Sequence, residues 1–199
     1  PEGDAAAVLL RGVEPRAGLD ELCRNRYALP PEALSPRQRR RGKDLLRAAA
    51  LLLFCFPGSP TVYYGDEAGM EGFEDPFNRQ TYPWGHEDRE LIDWFRALGR
   101  LRKEHTSLRR GTIRYVWGRG PLLAFLREDR EETVLCACNA GEEPASFDLE
   151  TERVPVPLLG RAHVEREEDQ LRITVPPRSG VAIRLSEEQE EESGGATVG

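Results

Sequence analysis

The stretch PGSPTVYYGDE, residues 57–67, contains a helix stop, a predicted strand and the start of a loop. Its two prolines and the glycine between them end any helix that precedes them. Residues 61–64, TVYY, form a β-branched and aromatic run without alternation. Such a run predicts a strand that is buried on both faces, as in a parallel sheet. The polar stretch that follows, up to His86, is then predicted to be a loop at the carboxyl end of that strand.

Helices are predicted on both sides of this stretch. Ser35 followed by Pro36 is typical of a helix start, because the serine can cap the helix and proline's missing N–H costs nothing there. A second helix is predicted over residues 88–104, where apolar residues recur at helical spacing. These residues are Leu91, Trp94, Phe95, Leu98 and Leu101. Helix, strand, loop and helix together favour an α/β arrangement with parallel strands.

The pattern changes after His105, where short β-prone runs are separated by turn signals. The runs are 112–117, 122–127, 133–138, 145–149, 154–158, 162–167, 171–175 and 181–185. Many strands at this spacing favour an antiparallel β-sandwich. The boundary between the α/β half and the all-β half is predicted near residues 108–111.

Length and charge limit the classes of protein. The chain has 199 residues, begins with Pro1 and has one methionine, Met70. We therefore expect a processed start or a piece of a longer protein, and a complete (β/α)₈ barrel of about 250 residues does not fit. The formal net charge is −7; without the five acids of residues 186–199, residues 1–185 carry 28 − 30 = −2. That balance disfavours nucleic-acid binding, and residues 186–199 are predicted to be a disordered acidic tail.

Neither a membrane span nor a metal or cofactor site is predicted. The most apolar stretch, residues 45–56, contains Arg47 and is far shorter than the about 20 residues that a spanning helix needs. The four cysteines lack zinc-like spacing, although two of them share a face of a predicted strand. They are Cys23, Cys55, Cys136 and Cys138. Reduced thiols in a cytoplasmic protein are the simplest interpretation.

The loop after the predicted strand is the candidate site, because it combines carboxylates, one arginine and aromatic rings. Its polar and aromatic residues are Asp66, Glu67, Glu71, Glu74, Asp75, Arg79, Tyr82 and Trp84. Such groups suit a neutral polyol such as a sugar, although an ordinary polar surface loop remains an alternative. Adjacent Asp66 and Glu67 would point to opposite faces of a strand, so they do not form the carboxylate pair of a glycosidase. No catalytic residue is predicted in this chain.

Residues 56–67 closely resemble the segment that leads into the eighth barrel strand of glycoside hydrolase family 13, the α-amylase family. Further segments resemble the neopullulanase, cyclomaltodextrinase and maltogenic amylase branch, including its last barrel helix and the end of its C-terminal β-sandwich. These segments are 69–79, 82–84, 101–105, 108–111 and 175–181. The resemblance covers about residues 44–185.

The resemblance implies that all three catalytic carboxylates lie outside this chain. In the family they stand on barrel strands four, five and seven, the last in a His-Asp pair, and no histidine here is followed by aspartate. The implied domains are residues 1–109, the barrel from after strand seven to helix eight; residues 110–185, a C-terminal β-sandwich; and residues 186–199, the acidic tail.

The resemblance also implies which residues touch substrate. Asp75 and Arg79 match the family's Asp-Pro-x-x-Arg pair, which contacts glucose units on the non-reducing side of the cleavage point. Glu67 is assigned to the substrate-binding set, although support of the strand end, together with the neighbouring tyrosines, is the favoured role for it. Trp84 is expected either to line the cleft or to be buried as packing.

The function implied is that of the C-terminal portion of an α-glucan hydrolase acting on maltodextrin, pullulan or cyclodextrin. The reaction would be retaining hydrolysis of α-1,4-glucosidic bonds, with α-1,6 bonds left open, and this chain would position substrate without breaking bonds. Its partners would be the α-glucan oligosaccharide and the missing N-terminal part of the same barrel. A homodimer of the full-length enzyme is left open, and no nucleic-acid or membrane partner is expected.

Two alternatives remain. The sandwich alone could be a non-catalytic carbohydrate-binding or structural module, since alternation puts Tyr115 and Trp117 on one strand face. Two aromatic residues on one face are more often core residues, however. The basic run of residues 37–47 could contact nucleic acid, but no aromatic residues interleave with its charges.

Overall fold

The computed structural model describes residues 34–72 and 77–187. Predictions for Cys23, Glu74, Asp75 and residues 188–199 therefore concern positions outside these ranges. Among the described residues, no helix is long and apolar enough to cross a lipid bilayer.

The two predicted helices are present. Helix α1 spans Pro36–Cys55, with Pro36 in its first turn. Its start is a capping box, in which the Ser35 hydroxyl accepts from the Gln38 amide and Gln38 Oε1 accepts from the Ser35 amide at 3.0 Å. Helix α2 spans Arg89–Glu104 and is capped by Asp88. A short helix α3, Thr106–Arg110, follows directly and leads into the sheets.

Every predicted strand of the second half is observed, with ends within two residues of the prediction. In chain order they are β1 (Thr112–Arg119), β2 (Leu122–Glu128), β3 (Thr133–Asn139), β4 (Ala145–Glu150), β5 (Val154–Gly160), β6 (His163–Glu167), β7 (Gln170–Val175) and β8 (Ser179–Ser186). They form a five-stranded sheet in the order β1-β2-β3-β8-β5 and a three-stranded sheet in the order β4-β7-β6. All the strand pairs are antiparallel, which confirms the predicted all-β architecture of this half.

The inner faces of the two sheets bury one common core. The five-stranded sheet contributes residues such as Leu126, Leu135 and Ile183, and the three-stranded sheet contributes residues such as Phe147 and Ile173. Each of these residues is at most 2% exposed. Alternation along β4 and β7 points their intervening polar residues to solvent. This arrangement is a β-sandwich.

The opposite face of the five-stranded sheet is also buried, because the helices pack on it. Leu51 of α1 and Leu98 of α2 share a second core with Phe125 and Cys136 of the sheet. The sheet is therefore the middle layer of three. Its central strands have no solvent-facing side, which explains why β3 is buried at every position.

The predicted strand at residues 61–64 is not observed, and neither is a parallel strand anywhere in the described part of the chain. Tyr63 and Tyr64 are each 44% exposed instead of buried on both faces. A strand needs hydrogen-bonding neighbours, and the described residues provide no parallel neighbour for this segment. The α/β architecture with parallel strands is therefore not found here.

The prediction that Tyr115 and Trp117 share one face is also wrong. A β-bulge lies between them, so that Tyr115 pairs with Phe125 but Trp117 pairs with the next residue, Ala124. Tyr115 contacts the Phe125 ring on the helix side, at 6.4 Å between centroids. Trp117 packs on the core between the sheets. One extra residue in a strand reverses the facing of everything beyond it.

Two arginines tie the helices to the rest of the fold through backbone carbonyls. Arg127 of β2 is 1% exposed. It donates hydrogen bonds to the Cys55 carbonyl at the end of α1 and to the Gly111 and Thr112 carbonyls before and within β1. Arg102 of α2 donates to carbonyls just beyond α1, among them Phe56 O at 3.1 Å. Both arginines satisfy carbonyls that a helix end or strand start leaves without partners.

Glu132 fastens the junction between α2 and α3. Its carboxylate accepts from the Ser107 amide at 3.0 Å and the Ser107 hydroxyl at 3.1 Å, and its Oε2 lies 2.7 Å from His105 Nδ1. Burial alone would raise the pKa of Glu132, but the hydrogen bonds to His105 and Ser107 outweigh it and lower the pKa. A carboxylate at the start of a helix also interacts favourably with the helix dipole.

We expect Glu132→Gln to lower the free energy of unfolding at pH 7 by about 1–3 kcal/mol, because charge-assisted hydrogen bonds are lost. The folded-state pKa is below the unfolded value of about 4.3. The stabilisation is therefore full above about pH 5 and is lost as the pH falls through the folded-state pKa. Urea denaturation at a series of pH values measures this.

The matched control is Glu131→Gln, since Glu131 is exposed and pairs only with Arg110 at 3.3 Å in the described contacts. Its effect should stay within about 0.5 kcal/mol. An equal loss in both variants, or an unchanged acid sensitivity in Glu132→Gln, would contradict the role of Glu132.

Candidate functional site

The loop of residues 57–72 is folded back on itself at Gly65. The Gly65 carbonyl accepts from the Ala68 amide at 3.0 Å and the Met70 amide at 2.9 Å. Gly65 has a φ of +96°, and a Cβ there would lie 2.3 Å from Met70 Sδ, so glycine is required. The Asp88 amide donates to the Ala68 carbonyl at 2.9 Å. The loop is thereby fixed to the start of α2.

Glu67 links the turn at Gly65 to the aromatic residues Tyr82 and Trp84. Its Oε2 accepts from the Gly65 amide at 2.9 Å, and its carboxylate accepts a hydrogen bond from the Tyr82 hydroxyl. Desolvation, then the negative charge of Glu67 and then this hydrogen bond raise the pKa of Tyr82. The Tyr82 ring in turn packs against the Trp84 ring, with centroids 4.6 Å apart. Glu67 thus supports the position of Trp84 through Tyr82.

Aromatic rings are the most exposed apolar groups of this surface. Trp84 is 79% exposed, so the buried alternative for it does not apply to the described structure. The Tyr63 and Tyr64 rings are 5.0 Å apart. The Tyr64 hydroxyl donates to the Gln80 carbonyl at 2.9 Å. We call Tyr63, Tyr64, Tyr82 and Trp84 the aromatic surface.

The predicted pair of Asp75 and Arg79 is seen only in part. Arg79 ends a short 3₁₀ helix, Phe77–Arg79, and is exposed on the same loop as the aromatic surface. Asp75 lies outside the described residues. Glu71, another residue of the loop, has a structural role: it forms an ion pair with Arg39 of α1.

The basic residues of α1 hold other elements in place. Arg41 pairs with Glu142 of the sandwich at 2.8 Å. Lys43 pairs with Asp88 at 2.8 Å and Glu90 at 2.6 Å. Burial would lower the pKa of Lys43, but its hydrogen bonds to the two carboxylates raise it. A charged face used in this way gives no support to nucleic-acid binding.

The other reactive side chains do not assemble a catalytic centre among residues 34–72 and 77–187. Burial raises the pKa of Cys138 to about 12 and that of Cys136 well above its usual range, so these thiols are poor nucleophiles. No cluster of three or more potential metal ligands occurs in the same ranges. A cavity of about 1020 Å³ lies between the α2–α3 junction and strands β5 and β8. It contains no residue of the aromatic surface.

Known proteins are similar to this chain in sequence. The family model described as Maltogenic Amylase, C-terminal domain, matches residues 120–181, which lie within the observed sandwich. An amylopullulanase of Thermoanaerobacter thermohydrosulfuricus is 43% identical over 89 residues, covering 43% of this chain and 6% of its own length. A cyclomaltodextrinase of Geobacillus thermopakistaniensis is 32% identical over 145 residues, covering 68% of this chain and 25% of its own length.

A solved structure of similar fold is also that of an enzyme, by its name a debranching enzyme. The debranching enzyme of Nostoc punctiforme is 32% identical, with a TM-score of 0.62, and the match covers 69% of this chain and 30% of that one. The chain thus spans at most about a third of the length of each relative named here. It therefore corresponds to a C-terminal region of the α-amylase family, glycoside hydrolase family 13, in the branch of the neopullulanases, cyclomaltodextrinases and maltogenic amylases.

Proposed function

We propose that this chain is the C-terminal portion of a retaining α-glucan hydrolase, and that it positions substrate while the rest of the same barrel supplies the catalytic carboxylates. In this proposal residues 1–109 complete a (β/α)₈ barrel from after its seventh strand, residues 110–185 are the C-terminal sandwich, and residues 186–199 are an acidic tail. The likeness to amylopullulanase, cyclomaltodextrinase and a debranching enzyme supports it.

The observation that carries the proposal is the exposure of the segment that resembles the eighth barrel strand. Tyr63 and Tyr64 are each 44% exposed, and Leu53 on α1 is 42% exposed. In a closed barrel, strands on both sides would cover such a β-branched and aromatic segment. The exposed side of residues 61–64 is then the place where the missing strands would pack.

The proposed substrate-binding residues are Asp75, Arg79, Trp84 and Glu67, of which the first three would touch the sugar. Active sites of (β/α)₈ barrels lie at the carboxyl ends of the strands, and the loop after residues 61–64 occupies that place. Arg79 and Asp75 would bridge neighbouring sugar hydroxyls, and the exposed Trp84 ring would cover an apolar face of a glucose unit. Glu67 would act through Tyr82, which it holds.

The proposed reaction follows the two-carboxylate scheme. One carboxylate attacks the anomeric carbon, a carboxylic acid protonates the leaving oxygen, and water then hydrolyses the glycosyl-enzyme. The substrates would be α-1,4-linked and, as a second option, α-1,6-linked glucans. A cytoplasmic location and a homodimer of the whole enzyme belong to the same proposal.

The 199-residue chain alone is expected not to hydrolyse maltodextrin, pullulan or cyclodextrin. In the proposal, the attacking carboxylate and the protonating carboxylic acid both belong to the rest of the barrel. Reducing-sugar release by the purified chain measures this. The control is an unrelated protein purified identically from the same host. Turnover above that control, retained through further purification, would contradict the proposal.

A further inference from the structure

We propose that the open edge of the sandwich holds a second carbohydrate site, separate from the loop after residues 61–64. We call it the edge cleft; it is formed by Trp117, Ser146, Phe147, Asp148 and Arg172. The sugar class, an α-glucan, rests on the proposed function, whereas the site itself rests on the geometry that follows.

The edge cleft lies where the free edges of the two sheets meet. Strand β1 is an edge of the five-stranded sheet and β4 is an edge of the three-stranded sheet. The cleft between them has a volume of about 240 Å³. That is smaller than the about 300–1,000 Å³ of a pocket for a drug-sized ligand, so the cleft suits a single ring or the end of a chain.

The β-bulge in β1 puts an aromatic ring into this cleft. Because the register shifts between Tyr115 and Trp117, the indole turns from the helix side to the inter-sheet side. The Arg119 guanidinium lies 5.3 Å from the centre of the Trp117 ring and restrains it through a cation–π contact. The ring is only partly buried, so it can still offer an apolar surface.

Two polar pairs on the outer face of β4 and β7 line the cleft or adjoin it. Arg172 donates to Asp148 through two parallel hydrogen bonds, Nε to Oδ1 at 2.9 Å and Nη2 to Oδ2 at 3.1 Å. The next pair along the strands is Ser146 and Thr174, whose hydroxyl oxygens are 2.8 Å apart. Since a guanidinium has five N–H donors, Asp148 engages only two of those of Arg172.

These groups match the chemistry of a neutral sugar. A pyranose has an apolar C–H face for the indole and a ring of hydroxyls that both donate and accept. The guanidinium, carboxylate and hydroxyl groups provide acceptors and donors at one place. The residues that line the cleft carry no net charge, because Arg172 and Asp148 neutralise each other, and this suits an uncharged polyol.

The test uses the full chain and follows the indole N–H signals of its three tryptophans, Trp84, Trp94 and Trp117, by ¹H–¹⁵N NMR. Each signal is assigned by a Trp→Phe variant. Titration with maltoheptaose should shift the Trp117 signal saturably. Asp148→Asn and Arg172→Gln should each weaken that binding about 10-fold, as expected for the loss of a charge-assisted hydrogen bond.

Glu150→Gln is the matched control, because Glu150 projects from the same face of β4 but does not line the edge cleft. It should leave the affinity unchanged. An unmoved Trp117 signal up to the solubility limit of maltoheptaose overturns the inference, as does equal weakening by Glu150→Gln. A shift of Trp84 alone overturns the edge cleft while it supports the proposed function. Equal binding of cellohexaose overturns the assignment to α-glucans.

Discussion

Arg127→Met is expected to lower the free energy of unfolding by about 2–4 kcal/mol. The guanidinium is buried beneath the helices and donates to three carbonyls, those of Cys55, Gly111 and Thr112. Each buried carbonyl that loses its partner costs about 1–3 kcal/mol. The relief of burying a charge offsets part of that loss, because desolvation by burial already lowers the pKa of Arg127.

Urea denaturation followed by circular dichroism at pH 7 measures this loss. The control is Arg114→Met on the neighbouring strand, where the arginine is 59% exposed and pairs with Glu128 at 3.1 Å. An exposed pair contributes about 0–1 kcal/mol. Equal stability of Arg127→Met and the unaltered chain would show that α1 and the start of β1 do not depend on this arginine. Equal losses of stability in Arg127→Met and Arg114→Met would show that the loss does not come from the buried hydrogen bonds of Arg127.

The second large effect is expected at Arg79 once the barrel is complete. We expect Arg79→Ala to lower kcat/KM for maltoheptaose about 10- to 100-fold, which corresponds to the loss of one or two charge-assisted hydrogen bonds to sugar hydroxyls. The measurement needs a complete barrel. A fusion of residues 34–187 of this chain, which keep the whole of α1 and its ion pairs, to the upstream part of the Geobacillus thermopakistaniensis cyclomaltodextrinase provides one.

Arg96→Ala is the control for this effect, because Arg96 is an exposed arginine on α2 that pairs with Asp93 at 3.3 Å. It should leave kcat/KM unchanged. Full activity in the Arg79→Ala fusion would exclude Arg79 from substrate positioning. A drop of the same size in both variants would point to general destabilisation instead.

Local signals were sufficient where one element is specified by its own residues. Ser35 and Pro36 predict the start of α1, and the structure shows the cap hydrogen bond there. The β-prone runs of the second half predict every strand, because turn residues separate them. The sequence does not predict the strand order, since β4 pairs with β7 and β5 with β8, which are distant along the chain. The packing of helices on the outer side of the five-stranded sheet is a non-local fact that no short pattern contains.

The strand predicted at residues 61–64 and the predicted facing of Trp117 are wrong for the same reason. Both depend on how the segment pairs with other strands, and a short sequence pattern does not contain that pairing. Residues 61–64 have the composition of a buried strand, but a strand forms only against neighbouring strands, and this segment belongs to neither sheet of the described residues. The facing of Trp117 depends on a bulge in β1. Strict alternation over residues 112–119 predicts one shared face, because a bulge adds one residue that the alternating pattern does not show.

The sequence places the proposed substrate residues on one loop, and their binding of substrate stays a prediction; the edge cleft is not predicted from the sequence. Glu67, Arg79 and Trp84 do lie on one loop after residues 61–64, and Arg79 and Trp84 are exposed there. The link from Glu67 to Trp84 through Tyr82 was not foreseen, because it depends on a turn at Gly65. The edge cleft joins residues of β1, β4 and β7, which only the sheet order brings together.

Whether this chain positions substrate is tested most directly by α-glucan hydrolysis by the fusion of residues 34–187 to the upstream part of the cyclomaltodextrinase. We expect the fusion to release reducing sugar from maltodextrin, and we expect no release by the upstream part alone or by this chain alone. An inactive fusion that is folded, with the native exposure of Tyr63 and Tyr64 lost on assembly, would contradict the claim that this chain positions substrate. Hydrolysis by either part alone would contradict the claim that the two parts share one active site.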